Sequence, residues 1–397
     1  MKILLTTDTY YPMINGVVIS TSNLYRELRN QGHEVKILTL SHTGEESVQG
    51  DIYYLKSIKI NVYPDARMKV PFRNKLIKEI LDWHPDIVHS QTEFSTMVVA
   101  KHIVKKLNIP QIHTYHTMYE DYLNYLLGGR ILKRGVAAKV TKLLLNSLDG
   151  VIAPTDKTKA ALRGYGVDSD INIIPTGIDI DKFQKKLNEE EKDALLLNLG
   201  IKKEDKIMAY VGRVAEEKNI DEILNLFPQV LEKVVNAKIL IVGGGPHLES
   251  LKDLVKEKAL ENKVIFTGMV EPKDVYKYYN LAHLFVTAST SETQGLTYLE
   301  ALSSGCPIVC KYDKAIEEVV LQGINGFSYK NDWEFILYTS EILLNEELRE
   351  ELSIKAKGKA LEYSSGAFAN RVLALYSKVG SNSSILHGEA RTSGMQY

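Results

Sequence analysis

The sequence predicts an α/β protein built of two doubly wound domains in tandem, facing each other across a ligand cleft. Short apolar runs alternate with amphipathic stretches along most of the chain, the βαβ order of a parallel sheet covered on both faces. That order starts afresh after residue 180, and at 397 residues the chain is too long for one ordinary core. Polar turns containing glycine follow several apolar runs, at the carboxyl ends of strands where such sheets bind ligands.

In the first half, Lys2–Thr6, Glu34–Leu40, Ile87–Ser90 and Gln111–Tyr115 read as strands. Ser20–Gln31 reads as a helix closed by Gly32, as a C-cap glycine would close it. In the second half the strands are Ile207–Val211, Lys238–Val242, Val264–Thr267, Leu284–Thr287 and Pro307–Val309. Asp221–Val234, His247–Lys258 and Pro272–Leu281 fill the gaps as helices. The expected divisions are 1–178, 179–363, a late helix over 364–379, and a tail, 380–397, without periodicity and read as disordered. The charged run Lys185–Lys192 at the joint reads as a solvated helix face.

Composition places the chain among ordinary packed proteins, 44% hydrophobic and 25% charged. No apolar run approaches the roughly 18–20 residues of a membrane span. The N-terminus enters a strand at once and carries Asp8 early, unlike a signal peptide, so a cytoplasmic protein is expected. A net charge of −1 gives no reason to expect a nucleic-acid partner. Residues 1–180 carry a small cationic excess and the remainder an anionic one, which makes the first half the better partner for an anionic surface. Cys306 and Cys310 read as small core residues in a reducing compartment, since two thiols alone make a poor metal site.

The most informative stretch is Ser289–Leu302. A buried strand leads into a polar turn with Gly295 and then a helix. A helix start offers unpaired N–H groups and a positive dipole end to an anion. Glu292 and Glu300, eight residues apart, are placed to face one hydroxyl-rich ligand. Arg213 and Lys218 flank the first strand exit of the second half, where two cations neutralise a departing diphosphate without a metal. Gly243-Gly244-Gly245 is a turn that lets a ligand or another loop come close. Gly16, after the first strand, would let backbone approach a diphosphate; there is no G-x-G-x-x-G for a dinucleotide. His116, last out of the Gln111–Tyr115 strand, is better placed than His113 to point into a cleft, though a hydrogen-bonded histidine at a strand end reads as well; a metal pair is disfavoured because strand neighbours three apart face opposite sides and no close carboxylate completes the set.

Arg213 with Lys218, the Glu292-x7-Glu300 pair and the triple glycine together resemble the retaining GT-B glycosyltransferases of family GT4, over about residues 1–379. GT-B means two Rossmann-like domains across a cleft. His113–Tyr122, Thr267–Val270 and Ser289–Glu300, with Gln294 where many relatives have phenylalanine, are similar to the bacterial diacylglycerol glucosyltransferases. The resemblance implies retaining transfer of glucose from UDP-glucose to the 3-hydroxyl of 1,2-diacylglycerol, for membrane glycolipid or lipoteichoic acid anchors. It implies His116 beside the donor sugar and Glu292 on it, as the catalytic pair. It implies Gly16, Arg213 and Lys218 at the diphosphate, the amides of Gly295, Leu296 and Thr297 at sugar and phosphate, Glu300 on the ribose, and backbone near Met269 and Val270 at the uracil. No prosthetic group and no essential metal follow from it, and the 364–379 helix would return to the first domain. Two alternatives stay open: a GT4 enzyme with another donor or acceptor, and a GT-B epimerase or non-catalytic nucleotide-sugar binder.

A lipid acceptor requires membrane contact. Two basic amphipathic segments are candidates for lying on an anionic inner membrane face. One is 67–81, with Lys69, Arg73, Lys75 and Lys78 beside Val70, Phe72, Leu76, Ile77, Ile80 and Leu81. The other is 126–142, with Arg130, Lys133, Arg134, Lys139 and Lys142 beside Ile131, Leu132 and Val136. An ordinary core-packed helix with a cationic outer face reads equally well in both.

Overall fold

In the first unit the strands β1 (Lys2–Thr6), β2 (Glu34–Leu40), β3 (Ser47–Gln49), β4 (Ile52–Leu55), β5 (Ser57–Lys59), β6 (Arg67–Lys69), β7 (Ile87–Ser90), β8 (Gln111–Thr114), β9 (Gly150–Ala153) and β10 (Ile171–Ile173) are set among helices of the described residues before the C-terminal one. These are α1 (Gly16–Asn30), α2 (Lys75–Trp83), α3 (Ser95–Leu107), α4 (Arg134–Leu145) and α5 (Asp156–Gly164). The structure is a computed structural model that describes residues 1–13, 15–59, 67–69, 74–116 and 134–392. Residues 1–177 with the segment from Ser365 onward form one compact unit, and Ile178–Ser364 the other.

The main sheet of the first unit runs β10-β9-β8-β7-β1-β2-β4-β3, parallel except for the β3 edge; β5 and β6 form a separate antiparallel pair. Strand order reverses between β1 and β7, so ligand-binding loops belong at the carboxyl ends of those two strands. Alternation along β1 divides the core. Ile3 and Leu5 face α1, and Leu4 faces α2 and α3.

The second unit holds β11 (Lys206–Val211), β12 (Ala237–Val242), β13 (Val264–Gly268), β14 (Leu284–Thr287), β15 (Ile308–Lys311) and β16 (Gly326–Tyr329) in the order β13-β12-β11-β14-β15-β16, all parallel. Its helices are α6 (Ile180–Gln184), α7 (Glu189–Asn198), α8 (Ile220–Lys233), α9 (Leu248–Glu257), α10 (Val275–Leu281), α11 (Leu296–Ser304), α12 (Asp332–Leu344) and α13 (Glu346–Ala360). Here the order reverses between β11 and β14. Met208 and Tyr210 of β11 pack on one face, Ile207 and Val211 on the other.

The last helix, α14 (Ser365–Thr392), packs on the first unit. Phe368, Val372, Leu375, Tyr376 and Val379 are buried with Ile3, Leu5 and Leu28. The backbone stays helical to Thr392, into the tail expected to be disordered. No proline interrupts residues 380–392, so the hydrogen-bond ladder seeded by the buried turns propagates. Residues 393–397 lie outside the described set.

One membrane candidate is corrected. Over 75–81, Leu76, Ile77 and Ile80 of α2 are buried against Val88, Val99, Ala100 and Ile103, and Leu81 packs beside them. Their apolar face belongs to the core and is not available to a bilayer. Val70, Phe72 and Arg73 lie outside the described residues, as do Arg130 to Lys133 of the second candidate and the side chains of Lys69, Arg134 and Val136. On α4, Val140 and Leu143 are exposed beside exposed Lys139 and Lys142. Among the described residues no helix is long and apolar enough to cross a membrane.

Candidate functional site

In the second unit the exits of β11 and β14 converge. Beyond β11, Gly212 leads to Arg213 and a short 3-10 turn, Glu216–Lys218. Beyond β14, the loop Ala288–Gln294 leads into α11. Lys218 Nζ donates to Glu292 Oε1 at 2.6 Å. Ser289, fully buried, donates to the same oxygen at 2.8 Å, and Ser291 Oγ donates to the Glu217 carbonyl at 3.3 Å. Arg213 lies 3.7 Å from the Glu217 carboxylate, and its carbonyl accepts from Tyr210. Arg213, Lys218 and Glu292 thus share one cluster, with cations and carboxylates alternating.

Gly295 is the N-cap of α11 at φ +76, a left-handed backbone that favours glycine. A β-carbon there would also stand 2.5 Å from the Tyr298 ring. Leu296 and Thr297 form the first turn, so their amides are among those an α-helix leaves without intrahelical partners. Glu300 follows one turn later. Burial pushes its carboxyl up to about 7, against the nearby Lys182 and a 3.2 Å hydrogen bond from the buried Tyr279 hydroxyl. Tyr279 also donates to the Thr297 carbonyl, which ties Glu300 to the helix start.

The triple glycine meets another loop. A β-carbon on Gly243 would stand 1.9 Å from the Gly212 carbonyl oxygen, and one on Gly245 2.1 Å from that of Val214. Val214 N–H donates to the Gly244 carbonyl, and His247 N–H to that of Val214. Backbone lies on backbone, which holds the Arg213 loop in place. Met269, three-quarters exposed, lies against Gly244 in the turn after β13, and Val270 is half-buried against the core.

In the first unit, Gly16 opens α1, whose N-cap Asn15 accepts from Val18 N–H. His116, half-buried just past β8, has Nε2 2.8 Å from Gln91 Oε1. Burial, with His113 nearby, pulls its imidazolium pKa down to about 3, so the ring is neutral. His113 is fully buried between Ser90 and Glu93. Thr117 to Tyr122 of the resembling stretch lie outside the described residues. Among the described residues no group of three or more His, Cys, Asp or Glu side chains is disposed to hold a metal ion. Both thiols are buried and unbridged, and burial pushes both up.

Residues 14–182 match Glycosyltransferase Family 4, and residues 183–359 match Glycosyl transferases group 1. The Alpha-monoglucosyldiacylglycerol synthase of Streptococcus pneumoniae is 34% identical over 378 residues, 95% of this chain and 85% of that one. This chain belongs to the family 4 glycosyltransferases. The Alpha-monoglucosyldiacylglycerol synthase of Acholeplasma laidlawii is 30% identical over 95% of this chain and 96% of that one. The glycosyltransferase is of the monoglucosyldiacylglycerol synthase type, and the enzyme is a hexosyltransferase. Anabaena HepE, crystallised with UDP-glucose, superposes with a TM-score of 0.75 at 16% identity, covering 95% of this chain and 100% of its own. Sucrose-phosphate synthase of Thermosynechococcus elongatus gives 0.73 at 19%, covering 96% and 99%. At those identities the likeness speaks for the fold, which is GT-B.

Four residues around this glycosyltransferase's sites were not singled out from the sequence: Gln91 and Glu93 past β7, Ser289 as a partner of Glu292, and Tyr279 on α10. The signal for the first two was present. Gln91-Thr92-Glu93 is a polar triplet at the exit of the apolar run Ile87–Ser90, one of the two strands at the switch point.

Proposed function

We propose that this enzyme transfers glucose from UDP-glucose, with retention, to the 3-hydroxyl of 1,2-diacylglycerol in an anionic membrane surface. The observation that carries it is the Lys218–Glu292 pair beside the α11 start, in a chain whose relatives at 34% and 30% identity are both named Alpha-monoglucosyldiacylglycerol synthase. HepE, of the same fold, was crystallised with UDP-glucose, which supports a nucleotide-sugar donor.

The roles follow from charge and hydrogen-bond capacity. Arg213 and Lys218, with the amides of Gly295, Leu296 and Thr297, hold the diphosphate, and backbone at Gly16 approaches it. Their positive charge replaces a metal ion as negative charge develops on the leaving group. Glu292 accepts from sugar hydroxyls once Lys218 turns to phosphate. Glu300 accepts from the ribose, and backbone at Met269 and Val270 meets the uracil. His116, neutral, lies beside the sugar and does not oppose its developing positive charge.

In the transfer, the bond from the anomeric carbon to the diphosphate oxygen breaks and the acceptor oxygen bonds to that carbon from the same face. The hydroxyl proton passes to the departing phosphate oxygen, and UDP leaves. A glycosidase-like double displacement ranks lower. It needs a carboxylate at the anomeric carbon, and in this reading Glu292 is committed to sugar hydroxyls and Glu300 to the ribose. The exposed Lys139–Val140–Lys142–Leu143 side of α4 is the described surface best suited to an anionic bilayer.

The test is incubation with UDP-glucose or UDP-galactose and diacylglycerol vesicles, followed by identification of the lipid and its anomer. An α-glucosyl diacylglycerol, formed with divalent cations chelated, is expected. A β-anomer, or sugar transfer only to water-soluble acceptors, would overturn the reading.

A further inference from the structure

Asn219 closes the 3-10 turn that carries Lys218 and opens α8, with its backbone left-handed at φ +51. Lys218 N–H donates to the Ala215 carbonyl and Asn219 N–H to that of Glu216, both at 3.0 Å. An asparagine at a helix N-cap ordinarily accepts from the amides of the first turn. This side chain makes no such bond. Its Nδ2 donates instead to Glu222 Oε2 at 2.5 Å.

Glu222, in the first turn of α8, is held from two further directions. Lys311 Nζ donates to Oε2 at 2.5 Å and the Tyr329 hydroxyl to Oε1 at 2.9 Å. Lys311 is the last residue of β15 and Tyr329 the last of β16, and the two stand in register on adjacent strands. Burial, and then the Glu222 charge, push the Tyr329 hydroxyl up, so it stays a donor. We propose that Glu222 is a positioning residue for nucleotide binding, which fastens Asn219 to the ends of β15 and β16 and so holds the turn that presents Lys218. This rests on the reading that Lys218 holds the diphosphate, and it adds what sets the strength of that grip.

The physical reason is the difference in stiffness between strands and turns. A three-residue turn has little packing of its own, and none of Glu216, Glu217 and Lys218 is buried. The strand ends are fixed by the sheet, and Tyr329 is packed in the core. Hydrogen bonds to an ionised carboxylate are about twice as strong as neutral ones, so the clamp carries the order of the strands into the turn. A first-turn carboxylate that only complemented the helix dipole would need none of these three partners. An amide in place of the Glu222 carboxylate keeps the shape but turns an NH2 group on donors and loses the charge that Lys311 meets.

The test is calorimetric titration of the full-length protein with UDP, in wild-type and Lys218→Ala backgrounds. Glu222→Gln should weaken UDP binding by about 3–10-fold, bounded by the roughly 10-fold that Lys218 itself supplies. Asn219→Gly keeps the left-handed turn and removes only the Nδ2 donor, so it should fold and weaken binding by about 3-fold. In the Lys218→Ala background neither change should weaken binding further, because the group they position is gone. Val230→Ala, in the core on the same helix, should lower the thermal midpoint and leave UDP affinity within about two-fold. Folded Glu222→Gln and Asn219→Gly with wild-type affinity, losses that persist in full without Lys218, or an equal loss in Val230→Ala overturn the inference. If Glu222→Gln does not fold, Asn219→Gly decides by the same criteria. If Lys218→Ala binds UDP as the wild type does, the placement of Lys218 falls and takes the inference with it; if Lys218→Ala weakens binding while Glu222→Gln and Asn219→Gly are silent, only the role of Glu222 falls.

Discussion

Lys218 Nζ and Glu292 Oε1 lie 2.6 Å apart although 74 residues separate them in the chain, and both side chains are about one-sixth exposed. The pair joins the group suited to phosphate with the group suited to sugar hydroxyls. Glu292→Ala should lower kcat by about 100-fold or more while UDP affinity changes little, the scale of losing one polar contact to a transition state. Lys218→Ala should instead weaken UDP binding by about 10-fold, or ~1.4 kcal/mol. The double variant should lose less than the two single losses combined, because each removes the other's partner. Calorimetric UDP titration with steady-state kinetics checks this. Equal loss of UDP affinity and turnover in Glu292→Ala would sink its assignment to the sugar.

Glu300 predicts a pH dependence of nucleotide binding. Its carboxyl is raised to about 7, so it takes up a proton as pH falls through neutrality. Only the ionised form accepts from both ribose hydroxyls, so UDP affinity should rise with pH, by up to about ten-fold between pH 6 and 8. Glu300→Gln should flatten the profile. Tyr279→Phe, which removes a hydrogen bond that favours the carboxylate, should move the midpoint to higher pH. A wild-type profile flat across neutrality would contradict this reading of Glu300.

The triple glycine predicts an unequal response to one substitution. Gly243→Ala and Gly245→Ala drive a methyl into a carbonyl oxygen at 1.9 and 2.1 Å and place alanine at φ +139 and +159. Each should cost about 3 kcal/mol or more, because backbone must move. Gly244→Ala meets only the Met269 side chain, at 3.0 Å, and should cost under about 1.5 kcal/mol. Urea unfolding of the three variants ranks them, and equal losses would refute the close-approach account.

Buried neutral histidines predict acid sensitivity. His89 is fully buried, with one ring nitrogen 2.7 Å from the Tyr376 hydroxyl and the other 2.7 Å from Thr114 Oγ1. Burial holds it well below 6.5, and His116 and His283 are held down to about 3. Below about pH 6.5 the unfolded chain gains protons that these three refuse when folded, so stability falls with pH. Glu300 and Asp8, both raised by burial, work the other way, because the folded state binds their protons first. Three against two leaves a net loss of about 1–3 kcal/mol from pH 7 to pH 5, visible as a lower urea midpoint. Tyr376→Phe should remove a further ~1–3 kcal/mol at any pH by leaving a buried ring nitrogen without that partner. A midpoint that rises toward pH 5 would reverse the assignment.

The α4 surface predicts charge-dependent membrane binding. Lys139→Glu with Lys142→Glu should weaken flotation on anionic vesicles by about 30-fold or more, at roughly 1 kcal/mol per lysine plus new repulsion. Leu143→Glu should weaken binding to all vesicles, since that side chain is 77% exposed and free to insert. Equal wild-type binding to neutral and anionic vesicles would remove the electrostatic part.

The sequence by itself determined what depends on near neighbours along the chain. Short apolar runs placed the central strands of both sheets, and the restart after residue 180 marked two units. The run from Leu284 to Glu300 was legible as strand, glycine turn and helix, because turn chemistry and helix starts act over a few residues. Tertiary structure alone decided which groups meet. It brought Lys218 to Glu292, Tyr376 to His89 across 287 residues, Gln91 to His116, and the glycines at 243 and 245 to the carbonyls of Gly212 and Val214. It also decided the two basic segments differently. Periodicity shows that a helix has an apolar face but not what covers it. Leu76, Ile77 and Ile80 are covered by α3 and β7 and belong to the core, whereas Val140 and Leu143 on α4 stay open to solvent.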